Sequence, residues 1–240
     1  MSISADARVP ISAKCVNREE PFPHPIAWDD IETVILDMDG TLLDLHFDHK
    51  VWNCLLPERF ALAFDCSIAE AKLEIANQLD ASRGTLAWYC LDHWTERLGV
   101  DVAALEKELS HLVKPRPGAI GFLKLLEKAG HRLVLATNAH PSSMQRKFDI
   151  TGIDNYFHII GCSHHYGACK EERAFWSAFS EDLAIEPSAA MLIDDNHAVL
   201  GAAREFGIDY LYGVCYPNTL GPRVTSTEFP CIDMFSDLFG

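Results

Sequence analysis

Four consecutive apolar-to-small positions, Thr33 to Leu36 (TVIL), show neither alternation nor helical spacing. Unbroken runs of this length mark strands covered on both faces, as parallel strands in α/β sheets are. The same texture returns in HRLVLATN, FHIIGCS, AMLIDDN and YLYGVCYP. Between these runs lie segments of helical periodicity: PGAIGFLKLLEKAG, then the stretches around Met144 to Phe148, Glu171 to Ala184 and Asn196 to Phe206. The first of them opens near a proline and closes on a glycine, as helices prefer. Strands alternating with helices of this length predict an α/β fold, a parallel sheet with helices on both faces.

The stretch from His46 to Lys114 differs, because helical periodicity dominates it and no run reads as a buried strand. Ser67 and Glu70 have capping-box spacing ahead of AEAKLEIANQL, and LAWYCLDHWTERLG closes on Gly99 as one helix. This predicts an all-helical insertion at 46–114, with the α/β core at 27–45 and 115–240. The first 26 residues, with Pro10, Pro21, Pro23 and Pro25, read as an arm lying on the surface or disordered.

The predicted strands share one further property: each ends in polar residues. The first runs into Asp37 and Asp39, the second into Thr137 and Asn138, and the fourth into Asp194 and Asp195, while Lys170 follows the third. In open α/β sheets ligands bind beyond the carboxyl ends of the strands. Several carboxylates at one sheet edge repel each other unless a cation neutralises them, and hard oxygen donors with room for water suit Mg²⁺.

Composition narrows the partners. The 240 residues carry a formal charge of −15, which repels polyanions and leaves nucleic acid polymers and anionic membranes as poor partners. Eight cysteines without a CxxC pair, and no apolar N-terminal run, predict reduced thiols and a cytoplasmic protein. CSHHYGAC places Cys162, His164, His165 and Cys169 within eight residues, but the spacing is not that of a structural zinc site. Nothing demands an oligomer, and an isologous homodimer is compatible with the chain.

In this order, DMDGTLLD, ATN, Lys170 and IDDN resemble the four motifs of the haloacid dehalogenase superfamily of phosphohydrolases. LDMDGTLLDLHFD, TLAWYCLDHW, TNAHP and LIDDNHAVLGAA are further similar to its GMP/IMP 5′-nucleotidase group. The resemblance implies a Rossmann-like core with a helical cap and a Mg²⁺-dependent phosphomonoesterase. Asp37 matches the nucleophile that forms an aspartyl-phosphate, and Asp39 the general acid/base that protonates the leaving alkoxide and then activates water. Asp39 favours phosphoester cleavage, because the dehalogenase branch lacks this second acid. Gly40 supplies a turn, and Thr41 an amide and hydroxyl for phosphate. Thr137 and the Asn138 amide match the binders of phosphoryl oxygens, and Lys170 offsets charge on nucleophile and phosphoryl group. Asp37, Asp39, Asp194 and Asp195 form the implied metal set, with Asp195 the direct ligand and Asp194 orienting Lys170 or holding a metal-bound water.

The cap position assigns substrate choice to the insertion, with a purine nucleoside monophosphate as the expected substrate. Trp88, Tyr89, Trp94 and Trp52 are candidates to stack on the base, and Arg83 or His93 to meet its polar edge; the alternative is that these aromatics pack the insertion's own core. His46, Phe47 and Asp48 are candidates for hinge and substrate contact, and His140 for the entrance. The same core also serves phosphatases of sugar phosphates and sugar phosphomutases. A non-catalytic interaction protein is the alternative from another class.

Overall fold

A computed structural model describes residues 26–239. The expected N-terminal arm therefore lies, but for Ile26, outside the described residues. Six strands form one sheet: β1 (Thr33–Leu36), β2 (Arg132–Thr137), β3 (Ile159–Cys162), β4 (Ala190–Ile193), β5 (Tyr210–Val214) and β6 (Cys231–Ile232), in the order β3-β2-β1-β4-β5-β6. Every pairing is parallel, and β1 sits in the middle with Ile35 opposite Val134 on one side and Leu192 on the other.

The helices, in chain order, are α1 (His46–Lys50), α2 (Leu56–Phe64), α3 (Ile68–Asp80), α4 (Leu91–Leu98), α5 (Val102–Glu108), α6 (Ala119–Ala129), α7 (Pro141–Thr151), α8 (Ser163–Tyr166), α9 (Arg173–Leu183) and α10 (His197–Phe206). The alternation of side chains along each strand divides the core in two. Val34, Leu36, Leu133, Leu135, Met191 and Ile193 pack with Phe122, Leu123 and Leu126 of α6. Ile35, Val134, Ala136 and Leu192 pack with Phe175, Trp176 and Phe179 of α9 and Val199, Leu200 and Ala203 of α10. Helices thus cover both faces of a parallel sheet, as the sequence predicts.

Between β1 and β2 lie only helices and turns, α1 to α6. A π-helical turn, Val51–Leu55, joins α1 to α2. The capping box of α3 is present: the Glu70 amide donates to Ser67 Oγ and the Ser67 amide to Glu70 Oε2. LAWYCLDHWTERLG, however, is not one helix. A 3-10 turn at Leu86–Tyr89 stops at Cys90, whose extended backbone makes it the N-cap of α4, and Gly99 at φ 64° ends that helix in the left-handed conformation. Among the described residues no helix is long and apolar enough to cross a membrane.

Candidate active site

The carboxyl edge of β1 continues the ladder by one bond, from the Asp37 amide to the Ile193 carbonyl at 3.1 Å, so Asp37 stands where the central strand stops. The chain then turns sharply. Gly40, at φ 90°, donates its amide to Leu43 O at 2.8 Å. A Cβ at Gly40 would lie 2.4 Å from Asp195 Oδ2, so only glycine lets this loop close on the Asp195 carboxylate. Arg116, buried, anchors the loop by donating to the carbonyls of Thr41 (3.0 Å) and Tyr216 (3.1 Å).

Lys170 is the centre of the edge. It is 2% exposed, and its ammonium donates to Asp37 Oδ1 (2.5 Å), Asp194 Oδ2 (2.7 Å) and Ala136 O (3.0 Å), which uses all three protons. Its backbone is held as well: the Lys170 amide donates to Asn138 Oδ1, and Trp176 Nε1 donates to the Lys170 carbonyl. The second oxygen of Asp194 accepts the Asn196 amide at 2.9 Å. Both Asp194 oxygens are therefore engaged in orienting neighbours, one of them Lys170.

The other oxygen of Asp37, Oδ2, is buried and has no hydrogen-bond partner, and neither has the Thr41 hydroxyl. Oxygens of Asp37, Asp194 and Asp195 all lie within 4.8 Å of one another. Burial pushes the pKa of each upward and Lys170 opposes it, while nearby carboxylates add to the rise: Asp194 for Asp37, Glu171 for Asp194, and Asp37 with Asp194 for Asp195. An orphaned carboxylate oxygen among crowded acids, with oxygen donors only, fits a hard divalent cation.

Asp39 does not join that group. Its carboxylate accepts a 2.7 Å bond from Lys147 on α7, and Lys147 also reaches Asp48 at 2.9 Å. Burial opposes the charge on Lys147, but Asp39, Asp48 and Glu106 outweigh it and hold the ammonium firmly protonated. Asp48 is pushed up to about 7 by its burial despite Lys147. Two carboxylates two residues apart thus have separate lysines, Asp37 with Lys170 and Asp39 with Lys147.

The sequence profile of the haloacid dehalogenase-like hydrolases matches residues 31–207, from just before β1 to the end of α10. The chain belongs to this family. It is 39% identical over 194 residues to the GMP/IMP nucleotidase YrfG of Escherichia coli K12, covering 81% of this chain and 87% of that protein. Among solved structures it is similar to a HAD phosphatase from Thermococcus onnurineus (TM-score 0.74, 19% identity, 87% of this chain and 96% of that one). It also resembles an L-2-haloacid dehalogenase from Xanthobacter autotrophicus with chloropropionic acid covalently bound (TM-score 0.59, 18% identity, 87% and 96%). As a haloacid dehalogenase-like hydrolase with a nucleotidase relative, the protein is a phosphoric monoester hydrolase acting on a small phosphorylated substrate.

At the β2 end of this hydrolase, Thr137 is buried and its Oγ1 accepts the Ala139 amide at 3.0 Å. Asn138 Nδ2 donates to Glu171 Oε2 at 2.9 Å. Glu171 also receives Asn196 Nδ2 (3.0 Å) and the Tyr89 hydroxyl (2.5 Å), so one carboxylate ties the insertion to two strand ends. Sequence reasoning missed both Glu171 and Lys147. Their only signal was adjacency to Lys170 for the first and a polar residue in a helix for the second.

The insertion's candidates divide. Trp94 is fully buried, donates to Trp88 O at 2.8 Å and meets Trp52 edge-on at 6.4 Å, so it belongs to the insertion's core. Phe47 is likewise core, 1% exposed, with its ring 5.1 Å from the Lys147 ammonium, which corrects its reading as a substrate contact. Arg83 lies 4.9 Å over the half-buried Trp88 ring and pairs with Asp80 at 3.0 Å on the exposed side. His93 packs against Trp94 with Nε2 buried. The His46 amide donates to Asp44. His140 caps α7 and lies 3.5 Å from Asp92 of the insertion. Of CSHHYGAC, Cys169 turns to Glu172 and to the Gly84 carbonyl, while His164 turns elsewhere, to Cys90 and His140.

Proposed function

We propose that this protein is a Mg²⁺-dependent 5′-nucleotidase that hydrolyses purine mononucleotides, GMP and IMP foremost, through an aspartyl-phosphate on Asp37. The observation that carries this reading is the paired arrangement of Asp37 with Lys170 and Asp39 with Lys147, with Asp37 Oδ2 buried and unpartnered. A nucleophile needs a free lone pair aimed outward, and its neighbour must be positioned separately if it is to move a proton.

In this reading Asp39 enters as the neutral acid, its proton on Oδ2 because Lys147 holds Oδ1. Asp37 Oδ2 attacks phosphorus while Asp39 gives that proton to the departing 5′ oxygen of the nucleoside. The nucleoside leaves, the Asp39 carboxylate takes a proton from water, and the hydroxide so formed displaces Asp37 from phosphorus, restoring the Asp37 carboxylate and the protonated Asp39. Lys170 neutralises charge that builds on the phosphoryl oxygens, and Thr41, Thr137 and the amide of Asn138 stand as the oxygen binders, with Gly40 supplying the turn that presents Thr41. Held by Asp37 and Asp195, with Asp194 orienting Lys170 beside it, Mg²⁺ would supply charge neutralisation for an anionic nucleophile approaching an anionic ester. Lys147 acts as a positioning residue, fixing the Asp39 carboxylate.

Residues 46–114 serve as a cap over the core at 27–45 and 115–240 in this account. The Tyr89 to Glu171 bond, which ties the insertion to the strand ends, supports the cap reading, and the 39% identity to a GMP/IMP nucleotidase supports a purine as the leaving group. Phosphate release from nucleoside monophosphates, sugar phosphates and an aryl phosphate, each with Mg²⁺ and with EDTA, tests it. GMP and IMP are expected to give the highest kcat/KM, with release falling to the blank in EDTA. A sugar phosphate ahead of both would remove the nucleotide assignment, and full activity in EDTA would remove the metal.

A further inference from the structure

Three potential soft-metal ligands from three separate segments converge beside the acid edge. Cys90 is the N-cap of α4 in the insertion, His140 follows the β2 end, and His164 follows the β3 end. One ligand atom from each lies within 4.8 Å of the others. No catalytic step proposed for the acids uses any of them.

The second contacts of each ring are those of a metal ligand. Metal-bound histidines characteristically commit one nitrogen to a protein partner and leave the other for the ion. His140 Nδ1 lies 2.9 Å from Ser142 Oγ, which leaves Nε2, and that atom faces Asp92 Oδ2 at 3.5 Å. His164 Nδ1 faces Ser163 Oγ (3.5 Å) and Cys162 Sγ (3.9 Å), while its Nε2 is buried without any hydrogen-bond partner. The two rings meet edge to face at 5.2 Å. An orphaned imidazole nitrogen beside a second histidine and a thiol is costly unless something occupies the space between them.

We infer that Cys90, His140 and His164, with Asp92 as fourth donor, form a second metal site that takes a borderline-soft divalent cation of the Zn²⁺ class and clasps the helical insertion to the core. Sulfur and imidazole donors select zinc over magnesium, and a tetrahedral site with ligands at about 2.0–2.3 Å requires the three converging side chains to draw in and the exposed Asp92 carboxylate to swing in from its place beside His140. Cys90 and Asp92 come from the insertion and both histidines from the core, so the ion adds to the Tyr89, Cys169 and Asp92 bonds that join the two near this point. Because Cys90 follows Tyr89 directly, the clasp fixes the segment that reaches Glu171. The site is independent of the phosphatase assignment and of the acid cluster.

The test is Zn²⁺ titration of the full chain, stripped of metal and held in excess Mg²⁺ to fill the acid site, read by calorimetry and by the thiolate charge-transfer absorption of a Co²⁺ substitute. One equivalent of Zn²⁺ is expected to bind, with the Co²⁺ band present and hydrogen exchange slowed across residues 84–94. Cys90→Ser and His164→Gln are each expected to weaken binding by more than about 100-fold, since each removes a ligand outright. Cys231→Ser, which alters a different cysteine beside His197, and Asp195→Asn are expected to leave it intact. Absence of Zn²⁺ binding in excess Mg²⁺ would overturn the inference, as would equal binding by Cys90→Ser or its loss in Asp195→Asn alone.

Discussion

Asp37→Asn is expected to lower kcat for GMP by a factor on the order of 10⁴ or more, the scale on which removal of a covalent nucleophile acts. The amide matches the carboxylate in shape, so Lys170 keeps Asp194 and the Ala136 carbonyl as partners and the edge stays assembled. The substitution also removes one of three crowded carboxylates, whose burial already disfavours their charge. The metal-free variant should therefore melt within a few degrees of the wild type. Phosphate release and a thermal melt, run together, separate the two effects. Near-normal turnover would take the nucleophile's role from Asp37.

Lys147→Met should produce the largest loss of stability. It strips the one ammonium from two carboxylates, Asp39 and Asp48, with Glu106 close by, and breaking a buried pair from one side costs about 3–5 kcal/mol. In a chain of this size that is a fall in Tm on the order of 10 °C. The pH dependence has a definite sign. Asp48 already titrates near 7 in the folded protein, above its ordinary value, and losing Lys147 pushes it higher. A group whose folded pKa is raised contributes stability at low pH that is lost as pH rises through that value. The variant's deficit should thus be small near pH 5 and grow through pH 7 to 8. Asp48→Asn in the same chain should recover part of the Tm but not kcat, because Asp39 still lacks its positioning partner. A deficit independent of pH would point to lost packing of the lysine stem instead.

The central strands were legible because a buried parallel strand leaves an unbroken apolar run, and TVIL, LVLA and AMLI have no competing pattern. β6 was not, since two residues paired to one neighbour carry no periodicity. Asp37, Lys170, Thr137, Asn138, Asp194 and Asp195 could be placed at one edge because each ends a strand or lies in the segment just after one, and topology alone brings strand ends together. Partners set by side-chain direction could not be placed. Lys147 reaches Asp39 across 108 positions, and Cys90 reaches two histidines from different loops, so neither contact leaves a mark in local sequence. Aromatic residues in the insertion were ambiguous for a further reason: the same apolar ring serves a core or a base, and only packing separates buried Trp94 and Phe47 from half-buried Trp88.

The central claim is that the phosphoryl group passes through Asp37. Acid quenching of the first turnover with GMP labelled at phosphorus, followed by peptide mapping, tests it most directly. The account predicts label on the peptide that carries Asp37 in the wild type, label that both forms and decays more slowly in Asp39→Asn, which has lost the acid of the first step and the base of the second, and none in Asp37→Asn. Phosphate released at a steady rate from the first turnover, with no protein-bound label in either the wild type or Asp39→Asn, would contradict it.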